Sequence, residues 1–452
     1  MSTSPARTAA FDVLLRIEEQ DAYASELLHS SQYAKLLPAD HGLTTELVMG
    51  VLRWRSVLDA EISRFSDKRV EKLDLEVLTA LRLAAYQLIF LDRIPGRAAV
   101  HESVELVKRA RKSSAAPFAN AVLRKLGESA PAARATRASI QGQIETPEFA
   151  SAAALSEKLA HPLWLVSRWV RQFGLDRAGQ ICRYDQHPPV AAVRLVGGAT
   201  EAELAEGGIE LAPGQLLASA HRVRAGNVSG SHAFAEGRVA IQDEASQLAA
   251  LLVGTGSRIL DCCAAPGGKT RVLAERNPES HIVALELHAH RARLLQKLVS
   301  ATNVEVVNSD VLDYAPGEGF DRVLADVPCS GTGTLAHNPE IKWRLQAKDL
   351  ADLQERQLAI LRAAMQQVAA GGRLVYSTCS LEPEENERIV EKALTGKPAF
   401  SLLDSRTELE QLRAQGELVW NDLGSLVRGR FVRTIPGVHP CDGFFVAILQ
   451  RS

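Results

Sequence analysis

Apolar residues recur at helical spacing through the first part of the chain. Leu75, Leu78, Leu81, Leu88 and Leu91 share one face of a 3.6-residue period, and Asp92-Arg93-Ile94-Pro95-Gly96 ends the run. Helices are also predicted from Val100 to Arg111 and from Phe118 to Leu126, so residues 4–126 read as an all-helical bundle. The next stretch, Gly127 to Ala154, is rich in Ala, Ser and Thr, has weak periodicity, and predicts a linker.

Beyond it, His161 to Val170 predicts a short amphipathic helix and Pro188 to Leu195 a strand. A helix at Glu201–Glu206 then precedes a strand near Gly208–Ala212, which together make a small α+β module. Trp164 and Trp169 read as core residues rather than base-stacking platforms, because nothing in the sequence exposes them. From His232 the pattern changes again. Strands are predicted at Ser257–Asp261, His281–Glu286, Val304–Asn308, Asp321–Asp326 and Gly372–Ser377, with helical patterns between them. This alternation implies a parallel, doubly wound sheet. Two late strands, Val427–Thr434 and Phe444–Gln450, can pair antiparallel at one edge. The expected domains are therefore a helical bundle over 1–127, a linker over 128–150, the small module over 151–230 and an α/β domain over 231–452.

Composition narrows the class. With 452 residues, 46% hydrophobic and 23% charged, the chain is an ordinary globular protein of two or three domains. A formal net charge of -2 excludes a protein basic all over, so an RNA partner requires cations gathered on one face. Between Val107 and Leu126 the cations Lys108, Arg109, Arg111, Lys112, Arg124 and Lys125 stand without an acid among them, as a solvated helix face or a phosphate contact. Residues Met1 to Leu14 do not have the form of a signal peptide, and the uncharged run Leu83–Leu91 is too short to cross a bilayer. Six cysteines in so long a chain do not form a disulfide framework. The expectation is a cytoplasmic monomer with reduced thiols.

The candidate chemistry lies at the strand ends of the α/β domain. Arg258 to Thr270 is an apolar strand ending in an acid, a Pro-Gly-Gly loop and the start of a helix, an arrangement that offers a nucleotide-like ligand to a helix amino end. Cys263 occupies the first glycine position of a P-loop, and the dinucleotide fingerprint is absent too. Later strands end in Glu286, Asp310, Asp326 and Cys379, which suggests the rim of a methyltransferase site. Cys329, in Pro328-Cys329-Ser330-Gly331, and Cys379, in Thr378-Cys379-Ser380, follow successive strands and can face one pocket. Cys262 and Cys263 are adjacent and no Cys-x-x-Cys occurs, so no metal site is expected.

The segments Asp261–Thr270, Asp326–Gly333 and Thr378–Leu381 resemble the RNA 5-methylcytosine methyltransferases of the NOL1/NOP2/Sun type. Residues 4–126 resemble the antitermination factor NusB, and the module with His161-Pro162 and Trp164 resembles that family's small RNA-binding domain. Where the family often shows Arg-Val-Asn, this chain has Arg194-Leu195-Val196, and Glu286 takes a place often held by Asp. The resemblance implies an all-α NusB-like bundle, a small α+β RNA-binding module and a Rossmann-like catalytic domain. It implies S-adenosyl-L-methionine as cofactor, S-adenosyl-L-homocysteine as product, and small-subunit ribosomal RNA as substrate, with tRNA or large-subunit RNA as alternatives. It implies cofactor contacts from Cys262, Ala264, Ala265, Pro266, Gly267, Gly268, Lys269, Glu286, Arg291, Asp310 and Asp326. Cys379 is then the nucleophile, Cys329 assists release, and Asp326 and Lys269 complete the catalytic set. DNA cytosine methyltransferases attack instead with the Pro-Cys thiol, here Cys329. A non-catalytic RNA-binding assembly factor is the reading from another class, and a binding module needs neither cysteine.

Overall fold

The computed structural model describes residues 3–142 apart from 21, 31 and 34, and residues 149–452 apart from 300, with side chains masked from 136 to 142. It divides into two compact units, residues 1–188 with 335–344, and residues 189–334 with 345–452.

The first unit is helical. It contains α1 (Pro5–Gln20), α2 (Ala24–Leu28), α3 (Pro38–Phe65), α4 (Leu75–Phe90), α5 (Gly96–Arg109), α6 (Ala116–Gly142), α7 (Ala152–Lys158), α8 (Leu163–Phe173) and α9 (Leu175–Asp185). Helix α4 is apolar nearly all round and every residue from Val77 to Ile89 is buried, which makes it the centre of the bundle. The polar side chains it buries are answered: Arg82 grips both oxygens of Asp59 at 2.7 and 2.8 Å, and Gln87 accepts from Arg7.

The segment expected as a linker is largely helix, because α6 runs on to Gly142; residues 143–148 lie outside the described residues. Periodicity missed it because its anchor is polar. Arg134 donates to the carbonyls of Leu88 and Leu91 and to Asp92, satisfying groups that the end of α4 leaves open. The expected module over 151–230 is divided too. Helices α7 to α9 pack on one another and α7 on α3, within the helical unit, while the strands of the module belong to the other unit. Trp169 is fully buried and Trp164 half-buried. Of the basic run, Lys108, Arg109 and Lys112 pair with Glu105, Asp12 and Asp74, and Arg111, Arg124 and Lys125 are exposed.

Residues 335–344 leave the second unit's sequence to complete the first. Glu340 accepts from the Ala24 N–H, Trp343 donates to the Leu52 carbonyl, and the buried Lys342 ammonium donates to the carbonyls of Arg53 and Ala160. Burial pushes the Lys342 pKa down to about 7.

The second unit holds two sheets. In the smaller, β1 (Ala192–Leu195), β2 (Glu210–Pro213), β3 (Ala220–Ala225) and β4 (Val239–Ile241) are ordered β2-β3-β1-β4, with α10 (Glu201–Glu206) and the short α11 (His232–Ala235) beside them. β1 pairs with β3 and β4, so the module needs a strand from beyond residue 230. After α12 (Glu244–Leu251) comes the larger sheet. Its strands are β5 (Arg258–Asp261), β6 (His281–Leu285), β7 (Val304–Val307), β8 (Phe320–Asp326), β9 (Val368–Thr378), β10 (Phe400–Leu402), β11 (Val427–Arg428), β12 (Phe431–Arg433) and β13 (Phe445–Arg451). Between them lie α13 (Gly268–Arg276), α14 (Ala289–Leu298), the excursion helix α15 (Ile341–Arg344), α16 (Asp349–Gln367), α17 (Glu387–Leu394) and α18 (Ser405–Ala414). The order is β11-β12-β13-β9-β8-β5-β6-β7, with β10 also on β13; β5 to β9 run parallel, and β13 returns antiparallel to β9. Chain order reverses between β5 and β8, the point at which open α/β sheets bind ligands.

Trp169→Ala should destabilise the helical unit by about 3–5 kcal/mol, the usual cost of emptying a buried indole site. Urea unfolding followed by circular dichroism should show the corresponding transition moved to lower urea.

Candidate active site

The parallel pairing of β8 with β9 sets Asp326 opposite Ser377. Cys329 and Cys379 follow three and two residues later, and their sulfurs stand 3.2 Å apart. The hydrogen bond to Cys379 and burial push the Cys329 thiol well above its ordinary range. The Gly333 N–H, on the Cys329 loop, donates to the Cys379 carbonyl. Gly333 has to be glycine, because a Cβ there would lie 2.2 Å from the Gly443 carbonyl oxygen.

Asp326 closes the other side. One carboxylate oxygen accepts from Lys269 Nζ at 2.7 Å and the other from Ser377 Oγ at 2.7 Å. Burial lowers the Lys269 pKa, but the Asp326 charge and hydrogen bond outweigh it, so the net shift is upward and the ammonium stays charged. Lys269 also stands 5.0 Å from the Phe444 ring centroid.

The loop between β5 and α13 brings the other expected residues together. Cys262 N–H donates to Leu324 and Ala264 N–H to Leu285, stitching the loop to β8 and β6. Ala265 and Pro266 meet through a cis peptide bond, and Gly267 follows with φ of 112°, beyond ordinary L-residue reach. A Cβ on Gly267 would come within 2.6 Å of Val299. Gly268 then starts α13. Glu286 is buried at the end of β6, accepts from the His288 N–H, and lies 3.9 Å from Arg291, whose guanidinium reaches the Ala265 carbonyl at 3.4 Å. Asp310 accepts from the Leu312 N–H two residues on. Cys262 and Cys263 are held protonated by burial. Among the described residues, no three His, Cys, Asp or Glu side chains could hold a metal ion.

Ser377 was not singled out in the sequence, although its place two residues before Cys379 is the signal that could have found it. Asp261 is buried, with Oδ2 accepting from Thr270 and Oδ1 without a partner. Burial pushes its pKa up to about 6, although the Thr270 hydrogen bond pulls the other way.

Comparison with known proteins accords with this geometry. The family model described as "16S rRNA methyltransferase RsmB/F" matches residues 249–450, and that of the NusB family matches 4–128. A probable ribosomal RNA small subunit methyltransferase B of Bacillus subtilis is 33% identical over the full length of both chains. The chain belongs to the RsmB/F family. It is an rRNA methyltransferase with an N-terminal NusB domain. The Pseudomonas putida ribosomal RNA small subunit methyltransferase B is 34% identical over 84% of this chain and 86% of its own. Among solved structures, that of PH0851 matches at a TM-score of 0.77 with 24% identity over the whole of both chains, a likeness of fold. No helix among the described residues is long and apolar enough to cross a membrane.

The Asp261 shift carries a pH signature. The folded state holds this proton up to about pH 6 and the unfolded chain only to about 3.9, so its contribution to stability is full below about pH 4 and is lost as pH rises through 6. Wild-type stability should lose about 2–3 kcal/mol across that window relative to Asp261→Asn, read from denaturant unfolding at several pH values.

Proposed function

We propose that the protein methylates carbon 5 of a cytosine in 16S ribosomal RNA through a covalent bond between Cys379 and the base. The observation that carries this reading is the pair of sulfurs 3.2 Å apart beside the Lys269–Asp326 ion pair, at the carboxyl edge of the sheet. Two thiols in contact, each just past the end of a neighbouring strand, are what a covalent mechanism with assisted release needs.

S-adenosyl-L-methionine is the proposed cofactor, and its residues fit. Ala264 to Gly268 offer a loop with nothing larger than a proline ring, Asp261 Oδ1 is a buried acceptor without a partner, and Glu286 presents a buried carboxylate one strand away. When bound, the cofactor supplies an electrophilic methyl group on a sulfonium. Glu286 would take the ribose hydroxyls, and the α13 amino end and loop backbone would face its polar groups.

The chain's own residues do the rest. Cys379 adds as thiolate to carbon 6 of the cytosine, which makes carbon 5 nucleophilic. Asp326 holds the base by accepting from its exocyclic amine, and the Lys269 ammonium beside it is placed to neutralise the negative charge that thiolate addition pushes onto the ring nitrogen. After methylation the carbon 5 proton passes to solvent, its electron pair restores the ring double bond, and the carbon–sulfur pair returns to Cys379. The Cys329 S–H then stabilises the departing thiolate. The base has to leave its stack to reach the pocket, at a cost of a few kcal/mol.

The test mixes Cys329→Ala or Cys379→Ala protein with S-adenosylmethionine and unmodified 16S rRNA. Denaturing gels should show protein covalently carried on RNA for Cys329→Ala and none for Cys379→Ala. The reverse pattern makes Cys329 the nucleophile, as in DNA cytosine methyltransferases, and no adduct from either overturns the covalent reading.

A further inference from the structure

Each reactive cysteine is followed by a serine, Cys329-Ser330 and Cys379-Ser380, and both serines converge on one side chain. Glu385, fully buried just before α17, accepts at Oε1 from the Ser330 N–H at 2.8 Å and from Gln357 Nε2 at 2.9 Å. Its Oε2 accepts from both serine hydroxyls, which also touch each other at 3.0 Å. The same Gln357 amide donates to the Pro328 carbonyl. The carboxylate therefore lies among neutral donors in the interior, the serines from the two loops that carry the sulfurs and Gln357 from α16.

The two loops depend on it unequally. The Cys379 loop has other anchors: Asn386 donates to the Ser380 carbonyl, Thr378 donates to Asn386, and Thr378 is paired with Phe445 in β13. The Cys329 loop is tied to the Cys379 loop further on, where Gly333 donates to the Cys379 carbonyl and Leu381 to Thr332, but the residues flanking Cys329 answer to Glu385: Ser330 gives it both its N–H and its hydroxyl, and Pro328 is held through Gln357, itself bound to Glu385. Loss of the carboxylate falls first on the residues beside Cys329. Charge-assisted hydrogen bonds are the strong ones, and a buried donor left without its acceptor costs more than the bond returns.

We propose that Glu385 is a positioning residue that holds the Cys329 thiol against Cys379, so that it governs release of the methylated base more than its capture. The proposal rests on the roles given to the two cysteines above. Glu385 touches neither sulfur; it acts through Ser330 and Ser380. Its effect falls on one step because the thiol it positions is the donor that steadies Cys379 as a leaving group.

The experiment uses the full chain with S-adenosylmethionine and unmodified 16S rRNA, comparing wild type, Cys329→Ala, Glu385→Gln, Ser330→Ala and Ser380→Ala. Two quantities are read: single-turnover methyl transfer, and the protein fraction covalently retained on RNA after denaturation. Glu385→Gln should raise the retained fraction about tenfold, the scale of one hydrogen bond to a charged group, while slowing transfer much less. Ser330→Ala should shift the same ratio further than Ser380→Ala, and it keeps the carboxylate in place should Glu385→Gln fold poorly. A merely structural role would depress both steps alike with no retained adduct, and that overturns the proposal. Retention by Cys329→Ala without retention by Glu385→Gln or Ser330→Ala refutes the role of Glu385 alone. Failure of Cys329→Ala itself to retain RNA removes the reading on which the proposal rests.

Discussion

The parallel pairing of β8 between β5 and β9 is the constraint on which the rest of the site depends. Neighbouring strands in a sheet lie about 4.8 Å apart, so whatever follows their carboxyl ends has to share one small volume. Here Asp326 ends β8, Lys269 comes from the first turn of α13 after β5, and Ser377 lies one residue before the end of β9. Residues far apart in sequence become neighbours without any loop having to search for them. The antiparallel β13 then covers the free side of β9 and brings Gly443 against Gly333, which shuts the Cys329 loop down onto the Cys379 backbone.

Charge is handled differently at the two ends of this edge. Asp326 and Lys269 form a close pair, and Asp326 keeps the Lys269 ammonium charged despite its burial. Asp261, fully enclosed, accepts from the Thr270 hydroxyl and holds on to its proton into the mildly acidic range because burial outweighs that bond. The Cys329 thiol follows the same rule, pushed well above its ordinary range by its hydrogen bond to Cys379 and by burial. One sheet edge thus carries a close ion pair, a protonatable acid and two thiols in contact.

Much of this was legible in the sequence because its signals are local. Apolar runs ending in Asp261, Asp326 and Ser377 marked the central strands, the last of them one residue short of its observed end, the helix at Glu201–Glu206 was read at its bounds, and Cys329 and Cys379 stood out against the loops that hold them. What escaped was set by partners distant in the chain. β3 and β4 are short and only partly apolar, and they become strands by pairing with β1. The stretch after Gly127 has no apolar stripe, and it is helical with Arg134 fastened to the end of α4. Glu385 looks like one more acid in the surface-like run Glu382-Pro383-Glu384-Glu385, and only the meeting of two loops makes it an interior residue.

Residues 335–344 give the molecule a consequence in time as well as in space. The helical unit draws Glu340, Lys342 and Trp343 from a stretch that follows β8, so its packing is unfinished while the ribosome is still building the sheet. Domains made of one continuous segment can fold as they emerge from the amino terminus. This one receives its last polar partners only after about three-quarters of the chain has been made. A cut between the helical unit and the loop beyond Cys329 would take from the Ala24 N–H and from the Leu52, Arg53 and Ala160 carbonyls the side chains that answer them here.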